Sequence, residues 1–128
     1  MNKKDRHLIR IASIAFAFCA VILGAFGAHF LREILVARES TSIWETGVRY
    51  QMWHALALLF ISVLQEKQNL SKTAGRCFII GTIIFSGSLY LLALGAPRWL
   101  GPFTPIGGLL LIIGWFSLLV STFKNYSE

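Results

Sequence analysis

Four long uncharged runs of apolar residues, each bounded by charged or polar residues, constrain this chain more than any other feature of the sequence. They begin near Ile11, Tyr50, Cys77 and Pro105. A helix of about 20 apolar residues crosses the hydrocarbon core of a bilayer, and only helices or closed barrels satisfy every backbone group there. The runs lack the alternation of barrel strands. The sequence therefore predicts an all-α integral membrane bundle of four transmembrane helices.

The composition agrees with this fold class, since 55% of residues are hydrophobic, 14% are charged and the mean hydropathy is +0.65. A soluble domain needs more charge to cover its surface. We expect one domain, residues 1–128, with spans at 9–31, 43–64, 75–96 and 105–123. Ser42 and Glu45 have the spacing of a capping box, which predicts a second helix starting near Ser42. Thr104 and Pro105 resemble an N-cap and first helical residue, and Glu45 and Arg49 can form an ion pair.

Basic residues are distributed unequally between the two predicted sides of the bundle, and the formal net charge is +6. On the side with fewer basic residues, the positive charge of arginines such as Arg32 and Arg38 is largely balanced by glutamates. The richer side should be cytoplasmic by the positive-inside rule, which places both termini in the cytoplasm. There is no interleaved basic and aromatic surface, so nucleic acid is not an expected partner. The basic residues of the richer side are Lys3, Lys4, Arg6, Arg10, Lys67, Lys72, Arg76 and Lys124.

Small residues in the spans predict where the helices approach each other, because close backbone contact drives association in lipid. The first span carries a stripe of small residues at intervals of four, and the third and fourth carry several glycines. We expect helix packing at Ala20, Gly24, Ala28, Gly81, Gly87, Gly107 and Gly114.

Polar residues inside the predicted spans are costly and are therefore candidates for function. We expect a cluster in the outer half of the bundle, with Tyr50 bonded directly to His54 and Tyr90 at about the depth of His54. Its candidate binding residues are His29, Tyr50, Gln51, His54, Ser86, Tyr90 and Thr104.

Several interpretations of this polar cluster remain open at the level of sequence. It can be a buried hydrogen-bond network that fixes the bundle, or a pocket for a lipid, quinone or small amphiphile. His29 and His54 can be metal or haem ligands, although two histidines are few for zinc. An oligomeric transporter or channel is a further alternative. No catalytic constellation is visible, so we predict a non-enzymatic binding or scaffold module without a cofactor, with a homo-oligomer or a membrane-protein partner possible.

Four ordered motifs resemble one known family. They are Gly24-Ala-Phe-Gly-Ala-His29, the stretch from Trp44 to Leu56, Phe85-Ser-Gly-Ser-Leu-Tyr90, and Thr104-Pro-Ile-Gly-Gly108. In these motifs the chain resembles the small YgdD-like membrane proteins, domain-of-unknown-function family four-two-three. The resemblance covers nearly the whole chain. It implies a four-helix protein of the bacterial inner membrane, and it implies no activity.

Overall fold

The computed structural model describes residues 1–64 and 72–127, and within them every regular element is helical. The prediction of an all-α protein is confirmed. The helices are α1 (Lys3–Ala28), α2 (Arg32–Ala37), α3 (Thr41–Leu64), α4 (Lys72–Ala93) and α5 (Phe103–Tyr126), with a short 3₁₀ turn at Arg98–Leu100 before α5.

Four of these helices, α1, α3, α4 and α5, are long and apolar enough to cross a membrane. At about 1.5 Å per residue, the 22 residues of α4, the shortest of the four, extend over roughly 33 Å, enough for the hydrocarbon core. Large apolar side chains cover their outer surfaces; Phe18 and Phe60, for example, are 67% and 68% exposed. Such exposure suits a surface solvated by acyl chains.

Two helix starts differ from the sequence predictions. The third helix begins at Thr41, so Ser42 lies inside it and the predicted capping box is wrong. The preceding Ser40 instead donates its hydroxyl to the carbonyl of Ala93 at 2.7 Å, which ties the start of α3 to the end of α4. The predicted pair of Glu45 and Arg49 is present, at 3.3 Å and exposed.

The last helix begins at Phe103, with Pro102 at the N-cap position. Thr104 is therefore a helical residue and not the N-cap that its sequence context predicts. Its side chain is used between helices, as described below. At the other ends, α1 stops at Ala28 and α4 at Ala93, three residues earlier than predicted in each case. The glycine two residues after α4, Gly95, has a φ of +97°, which a side chain would strain.

The long helices pack in sequence order, α1 on α3, α3 on α4 and α4 on α5. As a result, α3 and α5 flank α4 without packing along their lengths. Phe78 of α4 is fully buried and forms the centre of the core, with Leu58 of α3 and Leu111 of α5 against it. The short helix α2 contributes a second buried centre at Leu35, next to Trp44.

Most of the predicted packing residues lie at helix contacts, and two do not. A Cβ on Gly107 would lie 2.5 Å from the backbone nitrogen of Phe85. Ala28, however, is exposed, and Gly87 has no atom within 4 Å of a Cβ position; those two predictions are wrong. The remaining glycines contact neighbouring side chains (Gly24 with Val48, Gly81 with Leu111, Gly114 with Phe78), and Ala20 is 1% exposed.

Candidate functional site

The amide of Gln51 joins three helices through two hydrogen bonds. Its Nε2 donates to the carbonyl of Phe16 on α1 at 2.9 Å. Its Oε1 accepts from the hydroxyl of Tyr90 on α4 at 2.8 Å. Gln51 is 6% exposed, so the bonds lie within the bundle. A buried amide needs such partners, because an unsatisfied polar group is costly in a membrane.

The indole of Trp44 extends this network towards the C-terminal end of α1. Its Nε1 donates to the carbonyl of Leu23 at 2.9 Å. The ring centroid lies 4.8 Å from that of Tyr90. The indole covers Gly27, where a Cβ would collide with the ring, so only glycine permits this approach.

Three hydroxyl groups on α4 and α5 form further hydrogen bonds between helices. Ser86 donates to the carbonyl of Gly47 at 2.7 Å and joins α4 to α3. Ser88 and Thr104 share a hydrogen bond of 2.7 Å that joins α4 to α5. These hydroxyls are satisfied by the protein itself, which makes them structural cross-links.

His54 belongs to a separate polar group, one helical turn further along α3 than Gln51. Its Nε2 faces the indole N–H of Trp115 on α5 at 3.1 Å. An indole nitrogen can only donate, so Nε2 must accept. The proton of the neutral ring then sits on Nδ1, which donates to the carbonyl of Tyr50 at 2.7 Å. Both ring nitrogens of this buried histidine are therefore occupied by protein groups.

The structure corrects the expectation about His29 and specifies the contacts of Tyr50 and Tyr90. His29 is the exposed C-cap of α1 and makes none of the hydrogen bonds that unite the buried polar residues of the described chain. The expected direct hydrogen bond between Tyr50 and His54 is present and uses the backbone carbonyl of Tyr50, while the centroid of the Tyr50 ring lies 4.6 Å from that of Phe85. Tyr90 bonds Gln51, which lies one helical turn before His54 on α3.

A metal shared by His29 and His54 is not supported by this arrangement. One ring is exposed at a helix end and the other is buried with both nitrogens bonded. Within residues 1–64 and 72–127, no group of three or more His, Cys, Asp or Glu side chains is arranged to hold a metal ion.

A wide apolar groove runs between α3 and α5, and sequence reasoning did not identify it. Its volume is about 800 Å³, within the range of small-molecule sites. The signal in the sequence was Trp115, which stands in the middle of an apolar run. Tryptophan is typical of membrane interfaces, and a central indole N–H needs a partner. The lining residues are Trp53, Leu56, Ala57, Phe60, Ile61, Leu64, Trp115, Leu118, Leu119 and Thr122.

The chemistry available in this groove is that of binding. Thr122 supplies a hydroxyl, and it already donates to the carbonyl of Leu118 at 2.9 Å. The indole N–H of Trp115 is engaged by His54. The groove can therefore hold a hydrocarbon chain or an apolar helix, but its own side chains offer no acid, base or nucleophile.

Comparisons with known proteins match the chain to one family of membrane proteins. The sequence model of a family described as "Protein of unknown function (DUF423)" matches residues 23–108. A UPF0382 membrane protein of Staphylococcus haemolyticus is 44% identical over 120 residues, covering 91% of this chain and 98% of its own.

Relatives with similar coverage occur in other bacteria. A UPF0382 membrane protein of Haemophilus influenzae is 42% identical over 125 residues, covering 97% of this chain and 98% of its own. The UPF0382 membrane protein YwdK of Bacillus subtilis is 41% identical over 111 residues, covering 84% and 89%. No solved structure matches the chain. The agreement over nearly the full length of these relatives shows that the chain belongs to the DUF423 family of membrane proteins.

Proposed function

We propose that this protein is a non-enzymatic binding module of the bacterial inner membrane whose α3/α5 groove holds the hydrocarbon part of a long-chain amphiphile, such as a lipid or a quinone. The observation that carries the proposal is the groove itself, about 800 Å³ in volume and lined by apolar and aromatic side chains. Such a lining with few polar groups is typical of sites for apolar ligands.

The groove is held open by the way the helices pack. Because α4 lies between α3 and α5, these two helices are spread apart along their lengths. The bond between Trp115 and His54 fixes one point of contact between them. The ring of Phe78 packs against both of these rings and supports their contact. Its centroid lies 5.2 Å from that of His54 and 5.0 Å from that of Trp115. A preformed site of this kind lowers the entropic cost of binding.

The polar network around Gln51 supports binding indirectly. Its side chains form hydrogen bonds with neighbouring helices, and these bonds fix the register of α1, α3 and α4. We assign both termini to the cytoplasm on the distribution of basic residues. In this orientation the groove opens towards the inner leaflet, because Leu64 and Thr122 lie near the ends of α3 and α5.

A groove-filling variant tests the proposal. Ala57 lines the groove and is partly buried, so Ala57→Phe should block it. Native mass spectrometry would follow binding of palmitoyl-oleoyl phosphatidylethanolamine and of a long-chain ubiquinone to the detergent-solubilised protein. We expect at least tenfold weaker binding of one of these probes to the variant. The matched control is Ala25→Phe, at an exposed position of α1 outside the groove. Equal binding of both probes to the wild type and both variants would refute the proposal.

A second candidate function uses the same groove for a transmembrane helix of another copy. The observation in its favour is the row of exposed apolar side chains on α5, including Ile112, Phe116 and Leu119. The same spectra distinguish the two functions, since a dimer lost in Ala57→Phe would indicate a scaffold. A channel or transporter would also require an oligomer, because the four long helices leave little room for a pathway within one chain. Haem or metal binding would require His54 to give up Trp115 or Tyr50.

A further inference from the structure

The N-terminal turns of α1 present a concentrated positive surface. Lys3, Arg10 and His7 are exposed, and the side chains at this end surround an open space of about 590 Å³. Its lining residues are Lys3, Lys4, Arg6, His7 and Arg10. The acid of the first turn, Asp5, is paired with Lys72 at 2.5 Å. The positive charge of these turns therefore remains largely uncompensated by the described acids.

A second apolar groove begins where this basic surface ends. It lies between α1 and α3 and has a volume of about 400 Å³. Leu56 is the lining residue that it has in common with the α3/α5 groove, so the two grooves lie on different flanks of α3. The lining residues are Ser13, Ile14, Ala17, Phe18, Val21, Ile22, Ala55, Leu56 and Leu59.

The helical period aligns the basic surface with this second groove. Residues three and four apart share one face of a helix. Lys3, His7 and Arg10 follow that spacing, and it continues through Ile14 and Val21 in the groove. One stripe of α1 therefore carries positive charge for two to three turns and then apolar surface for three more.

Arg10 holds the junction between the two parts. Its Nη2 donates to the carbonyl of Ser62 near the end of α3, at 3.3 Å. The guanidinium thus bridges α1 and α3, three residues before the groove lining begins at Ser13. A guanidinium has five N–H donors, so others remain available to a phosphate.

We propose that the α1/α3 face binds one anionic phospholipid, with its phosphate at Lys3, His7 and Arg10 and an acyl chain in the groove beside Ile14 and Val21. A cation cluster directly beside a membrane span attracts anionic headgroups. The groove adds contact for the chain, so both charge and hydrocarbon are required. This site is independent of the proposed α3/α5 function.

The binding test compares lipids that differ only in headgroup charge. Native mass spectrometry would titrate the full-length protein with palmitoyl-oleoyl phosphatidylglycerol and with the phosphatidylcholine of identical chains. We expect at least tenfold tighter binding of the anionic lipid, weakened by added salt. Inorganic phosphate alone should bind far more weakly than the lipid. Equal affinity for the two lipids, or phosphate binding as tightly as the lipid, would overturn the proposal.

Matched variants locate the headgroup and the chain. Lys3→Gln should weaken binding of the anionic lipid about fivefold, while Lys124→Gln, which removes one exposed charge from the end of α5, should change it less than twofold. Val21→Trp should block the groove and weaken binding, whereas Ile112→Trp, at an exposed position of α5, should not. These four positions are exposed, so folding should be preserved. Equal losses within either pair would contradict the assigned site.

Discussion

The hydroxyl of Tyr90 and the amide of Gln51 meet at 2.8 Å and connect α4 to α3 in the interior of an otherwise apolar bundle. Because the same amide donates to the carbonyl of Phe16, one glutamine side chain holds three helices in register. Apolar surfaces in lipid have little preference for one helix over another, so directional bonds of this kind specify which faces meet.

Removing the hydroxyl in Tyr90→Phe should destabilise the bundle by about 0.5–1.5 kcal/mol, since it leaves the Oε1 of Gln51 without its donor. The measurement is reversible unfolding in mixed detergent micelles, followed by far-ultraviolet circular dichroism.

Tyr50→Phe is the control for Tyr90→Phe. The contacts of Tyr50 in the described chain are made by its ring, on Phe85 and Trp53, and by its carbonyl. Its hydroxyl should be dispensable. If both variants lost the same stability, the bond of Tyr90 to Gln51 would not be specifically stabilising.

Two glycines of the same predicted type should respond in opposite ways to alanine. Gly107→Ala places a methyl group 2.5 Å from the backbone nitrogen of Phe85, and backbone cannot move aside cheaply. We expect a loss of about 1–3 kcal/mol from overpacking. Gly87→Ala meets nothing within 4 Å and should be neutral or stabilising by up to about 1 kcal/mol, because alanine is the better helix former.

Thermal unfolding of the two alanine variants in one detergent would measure this difference. Similar melting temperatures for Gly107→Ala and Gly87→Ala would show that α4 and α5 do not approach at Gly107 as described.

The sequence was sufficient for the fold class and not for the pairing of side chains. Hydrophobic runs longer than a bilayer dictate four spanning helices, whatever their neighbours. The same runs do not reveal which face of a helix meets which partner, since lipid and protein are equally apolar. Gly87 and Ala28 were therefore indistinguishable from Gly107 and Ala20, although a Cβ at Gly87 would meet no neighbouring atom within 4 Å, Ala28 is exposed, and the latter pair is buried.

The candidate site was predicted in part for the same reason. The energetic cost of polar side chains inside a membrane span identified Gln51, His54 and Tyr90 as candidates. All three form hydrogen bonds between helices. The same criterion also identified His29, because the sequence does not show whether a histidine at a helix end points into the bundle or away from it. The α3/α5 groove depends on the order of helix packing, which a single sequence does not reveal.

His54 and Trp115 should be energetically coupled, because the indole N–H is the donor to the imidazole. His54→Phe and Trp115→Phe should each reduce stability, and the double variant should lose less than the sum. We expect a coupling of about 0.5–1.5 kcal/mol in a double-mutant cycle.

Visible absorption and elemental analysis of the wild-type protein accompany this cycle. We expect no haem band and no stoichiometric metal, since both ring nitrogens of His54 are bonded within the protein. A chromophore or metal lost in His54→Phe, together with zero coupling to Trp115, would reverse the assignment and make His54 a ligand.

The orientation of the bundle in the membrane can be tested with reporter fusions. With both termini cytoplasmic, green fluorescent protein fused after Ser127 should fluoresce, and alkaline phosphatase fused there should be inactive. Alkaline phosphatase fused after Glu39, on the connection between α2 and α3, should be active. The physical reason is that basic residues flanking α1 are retained on the cytoplasmic side.

To test that cause, Lys3, Lys4 and Arg6 would be replaced together by glutamine, which should raise the fraction of inverted molecules. An active phosphatase after Ser127 in the wild type would instead place the basic end of α1 outside, and would remove the charge-based assignment of both termini.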